Sequence, residues 1–138
     1  MHAVFTSNEF AAPASYRSLL KSPIELMVHA AKALGATSLS RVVVTSGSGM
    51  GQSLFDPPDV NGWPNNAAWI SSNTVIERVN FVTAALAQSG DRLPPASDAV
   101  HRHLEGIVSA QTANLFNQST DESTRWFIAL ASPEFQLK

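Results

Sequence analysis

The residue types able to do chemistry are densest in "LFDPPDVNGWPNNAAWISS", Leu54 to Ser72. Asp56, Asp59 and Asn61 offer oxygen ligands to a hard cation, and calcium is the cofactor such a loop would take. The EF-hand pattern does not fit. With Gly62 in its glycine position, the first ligand falls on Pro57 and the last on Ala68. An irregular calcium site, or carboxylates that activate water, is the chemistry left to this loop. Trp63 and Trp69 add two large rings, suited either to packing between helices or to an exposed platform for sugars or a partner.

The histidines give two further pairings. On a helix, His101 shares a face with Glu105, and Glu25 with His29, so either could act as an acid–base pair. Solvated helix pairs of this kind are far commoner than catalytic ones. His101 and His103 stand two apart, which points them to different sides of a helix, not at one metal. The catalytic candidates are therefore Asp56, Asp59, His101 and Glu105, and the metal candidates Asp56, Asp59 and Asn61.

"RVVVTSGSGMGQS" imitates a strand, a glycine turn and a phosphate-binding helix. Its spacing is G-x-G-x-G, not G-x-G-x-x-G, and no Gly-Lys-Ser/Thr follows, so it reads as a loop or an interrupted helix. No G-x-S-x-G marks a hydrolase nucleophile, and the chain has no cysteine for a thiolate.

The elements that must position these residues read as helices. "KSPIELMVHAAKALG" has Ser22 as cap, Pro23 in the first turn, Glu25 closing a capping box and Gly35 as a stop. Ile24, Met27, Val28, Ala31 and Leu34 form its apolar stripe, opposite Glu25, His29 and Lys32. A second helix spans about Thr74 to Gln88, apolar on two sides, with Thr74 to Glu77 as its capping box. A third begins at Ser97, with Val100, Leu104, Ile107 and Val108 inward. A fourth follows "QSTDES", capped by Ser119 and Glu122, and "SPEF" opens one more short turn. The segment from Ser38 to Gly51 fits both a strand, through its three valines, and a helix, through Leu39, Val42, Val43, Ser46 and Met50. Without a partner strand, helix is preferred. The expectation is a single all-α domain, residues 1–138, built as a compact irregular bundle of about four to six helices.

Within that bundle the tryptophan loop reads as scaffold. Pro57 and Pro58 fix two φ angles, Asp59 bonds its own turn, and Asn61 and Gly62 tolerate positive φ. Trp63 is then aimed inward to clamp helices, and its removal should cost several kcal/mol. The totals exclude other roles. A net charge of -2 does not suit a nucleic-acid binder, and no apolar run approaches the ~20 residues of a membrane span. Charged residues make up 14% of the chain, against about 25% in typical soluble domains, so part of the surface should face another subunit or another part of a longer protein.

"KSPIEL", "ALG", "GQSLFDPPDVNGWP", "AAWISSNTVIERVNF" and "ALASPEFQLK" come in an order that resembles the C-terminal part of a large bacterial family, domain of unknown function 1800. The resemblance runs from about Phe10 to Lys138. It implies a mainly helical fold, a longer parent and export from the cytoplasm, although the chain shows no signal peptide and reads as a C-terminal fragment. It brings no activity, cofactor or catalytic residue. The reading that follows is a non-catalytic helical scaffold or interaction module, paired with itself or with the missing N-terminal portion. The alternatives are a small, calcium-dependent hydrolase at Asp56, Asp59 and Asn61, and a glycan-binding module.

Overall fold

The computed structural model describes residues 1–12, 15–36 and 40–138. Among them are eight α-helices and no strand: α1 (His2–Phe5), α2 (Pro23–Ala33), α3 (Ser40–Gly49), α4 (Ser72–Ser89), α5 (Ala99–His103), α6 (Ala110–Gln118), α7 (Glu122–Ala131) and α8 (Pro133–Gln136). The all-α expectation holds. Helix α4 is the longest and lies at the centre, packed against α2, α3 and α7, while α7 also meets α5, α6 and α8.

Local chemistry sets most of the helix starts. Ser22 and Glu25 form the expected capping box, with Ser22 N–H donating to Glu25 Oε2 at 2.8 Å and Glu25 N–H to Ser22 Oγ at 3.3 Å. Two caps sit elsewhere than the spacing suggests. Helix α4 starts at Ser71, which pairs with Thr74, and α7 starts at Asp121, which accepts from Thr124 at 2.7 Å. Glu122 is thereby free to accept the Ala96 N–H at 2.6 Å, tying the preceding loop to α7.

The glycine-rich segment is helical over Ser40–Gly49; Ser38 and Leu39 of the expected helix lie outside the described residues. Its glycines serve packing, not phosphate. A Cβ on Gly47 would stand 2.9 Å from the Gln52 carbonyl oxygen and 3.3 Å from Met27 Cε, so only hydrogen fits between α3 and α2. Gly51, at φ 87°, turns the chain out of the helix.

The apolar faces differ from expectation in two places. In α2 the buried side is Leu26, Met27, Ala30 and Ala33, while Val28 is exposed and His29 is half-buried. In α4 the apolar core contacts come from the C-terminal half: Phe81, Val82, Ala85 and Leu86 enter the core, but Val75, Ile76 and Val79 face outward. The predicted third helix is broken. Helix α5 ends at His103, Glu105 and Gly106 take positive φ (55° and 72°), and α6 follows as a separate helix that leaves Ile107 exposed. Helix α6, "AQTANLFNQ", has little apolar content to reveal it in the sequence. It is held by its Ser109 cap and by Glu134, which accepts the Ser109 N–H at 2.6 Å.

The indole that clamps the bundle is Trp126. Its ring is fully enclosed, and Nε1–H donates to the Pro94 carbonyl at 2.7 Å. Trp69 is also buried, at 4% exposure, but stands outside the main core cluster. Trp63 is half-buried in a surface loop, with its Nε1 buried, and like Trp69 it stands outside the main core cluster. Trp126→Ala should cost about 3–5 kcal/mol, as other large core aromatics do. Trp63→Ala should cost less, because its ring is partly exposed and lies outside the core cluster. Chemical denaturation of both variants checks the ranking, and a larger loss at Trp63 would contradict it.

Candidate functional site

The chain ends fold back on each other. Leu20 and Leu137 form an isolated antiparallel bridge, with Lys21 N–H donating to Gln136 O and Lys138 N–H to Leu19 O, both at 2.8 Å. Arg78 of α4, 3% exposed, secures the pairing from below: Nη2 donates to the Lys21 carbonyl at 2.9 Å and Nη1 to Gln136 Oε1 at 2.8 Å. Two clefts flank this bridge, and Lys138 lines both. A groove of about 610 Å³ between α4 and α7 is comparable in size, but Asp91 is its only ionisable lining residue.

The first cleft, about 590 Å³, is walled by Leu20, Ile24, Leu54, Trp63 and Trp69. Polar side chains hold its frame by bonding backbone. Asn66 Oδ1 accepts the Leu20 N–H at 2.9 Å, and Gln52 Oε1 accepts the Ile24 N–H at 3.0 Å. Trp63 Nε1 is buried without a hydrogen-bond partner. At its rim, Glu25 accepts from Lys138. Burial alone would raise the Glu25 carboxyl, but hydrogen bonds from Lys138 and Ser22 outweigh it and hold it below its ordinary value.

The loop beside this cleft carries the residues singled out for a cation. Asp59 Oδ1 accepts the Asn61 N–H at 2.6 Å, and Gly62 N–H returns to Asp59 O at 3.1 Å, so Asp59 builds the expected turn. Asp56, Asp59 and Asn61 are all exposed. Among the described residues, no group of three or more His, Asp or Glu side chains is placed to hold a metal. The loop instead presents apolar side chains to solvent, Phe55 at 95% and Val60 at 102% exposure.

The second cleft, about 280 Å³, gathers most of the ionisable chemistry, including Tyr16, Arg17, Lys21, His29, His103 and Glu105. His101 and Glu105 do not form the expected pair. Because α5 stops at His103, Glu105 turns away, accepts from the Tyr16 hydroxyl, and lies 3.6 Å from Arg17 Nη2. Nor do Glu25 and His29 pair: His29 stacks on Phe135 at 4.4 Å between ring centroids, and its ring lies 5.8 Å from that of His103. This histidine pair joins α2 to α5 across the fold, and no local spacing could reveal it. Lys21, 8% exposed, donates from Nζ to the Phe135 carbonyl at 2.6 Å and sits 4.6 Å from the centre of that ring.

Burial governs the charges here. It lowers His29 to about 4, helped by repulsion from Lys21 and His103, and lowers His103 in the same direction. It also lowers Lys21 to about 8, with Arg17 adding repulsion. At neutral pH the cleft therefore holds two uncharged imidazoles beside charged Lys21 and Arg17. The arrangement suits binding an anion.

The family model for "Protein of unknown function (DUF1800)" matches residues 1–137, and the chain belongs to that family. No curated protein and no solved structure matches it. None of the described helices is long and apolar enough to cross a membrane.

His29 also sets a pH dependence. Its folded value lies below its unfolded 6.5, so the unfolded state binds more protons as pH falls, and stability is lost progressively between about 6.5 and 4. Wild-type stability should drop from pH 6.5 to 5, and His29→Phe, which preserves the ring stack on Phe135, should show a smaller drop. Equal losses in equilibrium denaturation would contradict this assignment.

Proposed function

We propose that the chain is a non-catalytic helical interaction module that pairs with a second copy of itself. The observation that carries this reading is the placement of Phe55, an almost fully exposed ring, directly after Leu54, which lines the apolar Trp63 cleft. A projecting ring beside a recess on the same surface is self-complementary. A two-fold axis would let each Phe55 enter the other copy's cleft, the arrangement of a closed isologous dimer. Burying one such ring contributes about 1.5–3 kcal/mol, and the symmetric pair does so twice.

Two further features support a second copy as the occupant. Val75, Ile76 and Val79 continue an outward apolar face along the N-terminal half of α4. The low charge content and net charge of -2 place little repulsion between identical faces. Light scattering with sedimentation at micromolar concentration should give a dimer. Phe55→Asp, at a position with little packing to lose, should give a monomer of unchanged helical content. A wild-type monomer, or a Phe55→Asp dimer of wild-type affinity, would overturn the proposal.

A further inference from the structure

The second cleft contains an imbalance of charge. Arg17 is beside Glu105, and Lys138 is bound to Glu25, so each of these cations has a carboxylate. Lys21 has none. Among the described residues it makes no ion pair, although it is almost wholly buried. An ammonium carries three N–H donors, and only one is used, on the Phe135 carbonyl. The face of the Phe135 ring supplies a partial counter-charge, which offsets only part of the cost of removing the ammonium from water.

Apart from the Glu105 carboxylate, which is engaged by Tyr16 and Arg17, the groups around Lys21 are donors or can become donors. Among the described residues, neither His29 nor His103 makes a hydrogen bond to protein, and both line this cleft. A neutral imidazole carries one N–H, and its tautomer adjusts to an arriving acceptor. The Lys21 position is also fixed rather than adaptable. Its amide is paired to Gln136, its carbonyl is held by Arg78, and its stem lies against Phe135.

We propose that the cleft between Lys21, His29 and His103 binds a small carboxylate, whose single negative charge is matched by Lys21 and whose oxygens accept from the two imidazoles. The charge count selects this class. One uncompensated cation suits a monoanion, whereas a phosphate dianion would add a surplus negative charge near Glu105. Arg17 stands at the same cleft as the second cation and remains engaged with Glu105 and with the Ile107 carbonyl at 3.4 Å.

The test is a titration of the full chain with sodium acetate, sodium phosphate and sodium chloride at pH 7 and constant ionic strength, following the imidazole resonances of His29 and His103. Acetate should shift both saturably at millimolar concentration, phosphate should bind more weakly, and chloride should not saturate. In Lys21→Met, which keeps the stem against Phe135, acetate affinity should fall by at least about tenfold, the loss of one charge-assisted hydrogen bond. His103→Gln, at a half-exposed position, should weaken acetate less. Absence of saturation with acetate in the wild-type chain would overturn the site, whether or not the variants fold. Tighter binding of phosphate would overturn the carboxylate assignment, and undiminished affinity in Lys21→Met would overturn Lys21 as the anchor.

Discussion

The junction between the two clefts turns on one buried guanidinium. Arg78 rises from the centre of α4 and holds the Lys21 carbonyl and the Gln136 side chain, joining two segments more than a hundred residues apart in sequence. Gln136 in turn donates to the Leu130 carbonyl at 3.0 Å, which extends the clamp to α7. Burial lowers the Arg78 pKa, its Nε is buried without a hydrogen-bond partner, and among the described residues no ion pair offsets that cost. Its hydrogen bonds to neutral groups justify its place. Removing the charge would strand a buried carbonyl, and such orphaned groups cost about 1–3 kcal/mol.

Both clefts depend on that junction. The bridge of Leu20 and Leu137 separates them, Lys138 borders each, and the residues next to the bridge set their chemistry. On one side Asn66 ties the tryptophan loop to Leu20 and makes an apolar recess. On the other, Lys21 and the histidine pair make a polar one. The same short pairing thus supports a surface for a partner and a pocket for an anion, and shifting it by one residue would exchange which side chains face each.

Helices α2, α4 and α7 were legible because capping and apolar period act over a few residues. The interior of Ser40–Gly49 was legible by elimination, since an isolated strand cannot satisfy its backbone. Helix α6 was not, because its apolar content is low and its anchors, Glu134 above all, arrive from elsewhere in the chain. The turn at Asp59 formed as its residues suggest, and Trp63 is half-buried beside it, outside the core cluster. Proline and glycine fix the shape of a corner, but neighbouring helices decide what lies beneath it. The His29–His103 pair and unpaired Lys21 were invisible for the same reason: their relations are tertiary. A lysine before a helix cap looks solvated until α8 and Phe135 close over it.

Arg78 holds the bridge without being needed for the rest of the bundle. Amide hydrogen exchange in Arg78→Met measures this residue by residue. The amides of Lys21 and Lys138 should lose protection, while those of Phe81 to Ala85 in α4 and Trp126 to Leu130 in α7 stay protected, as expected for local opening. Unchanged exchange at Lys21 and Lys138, or an equal loss across α4 and α7, would contradict it.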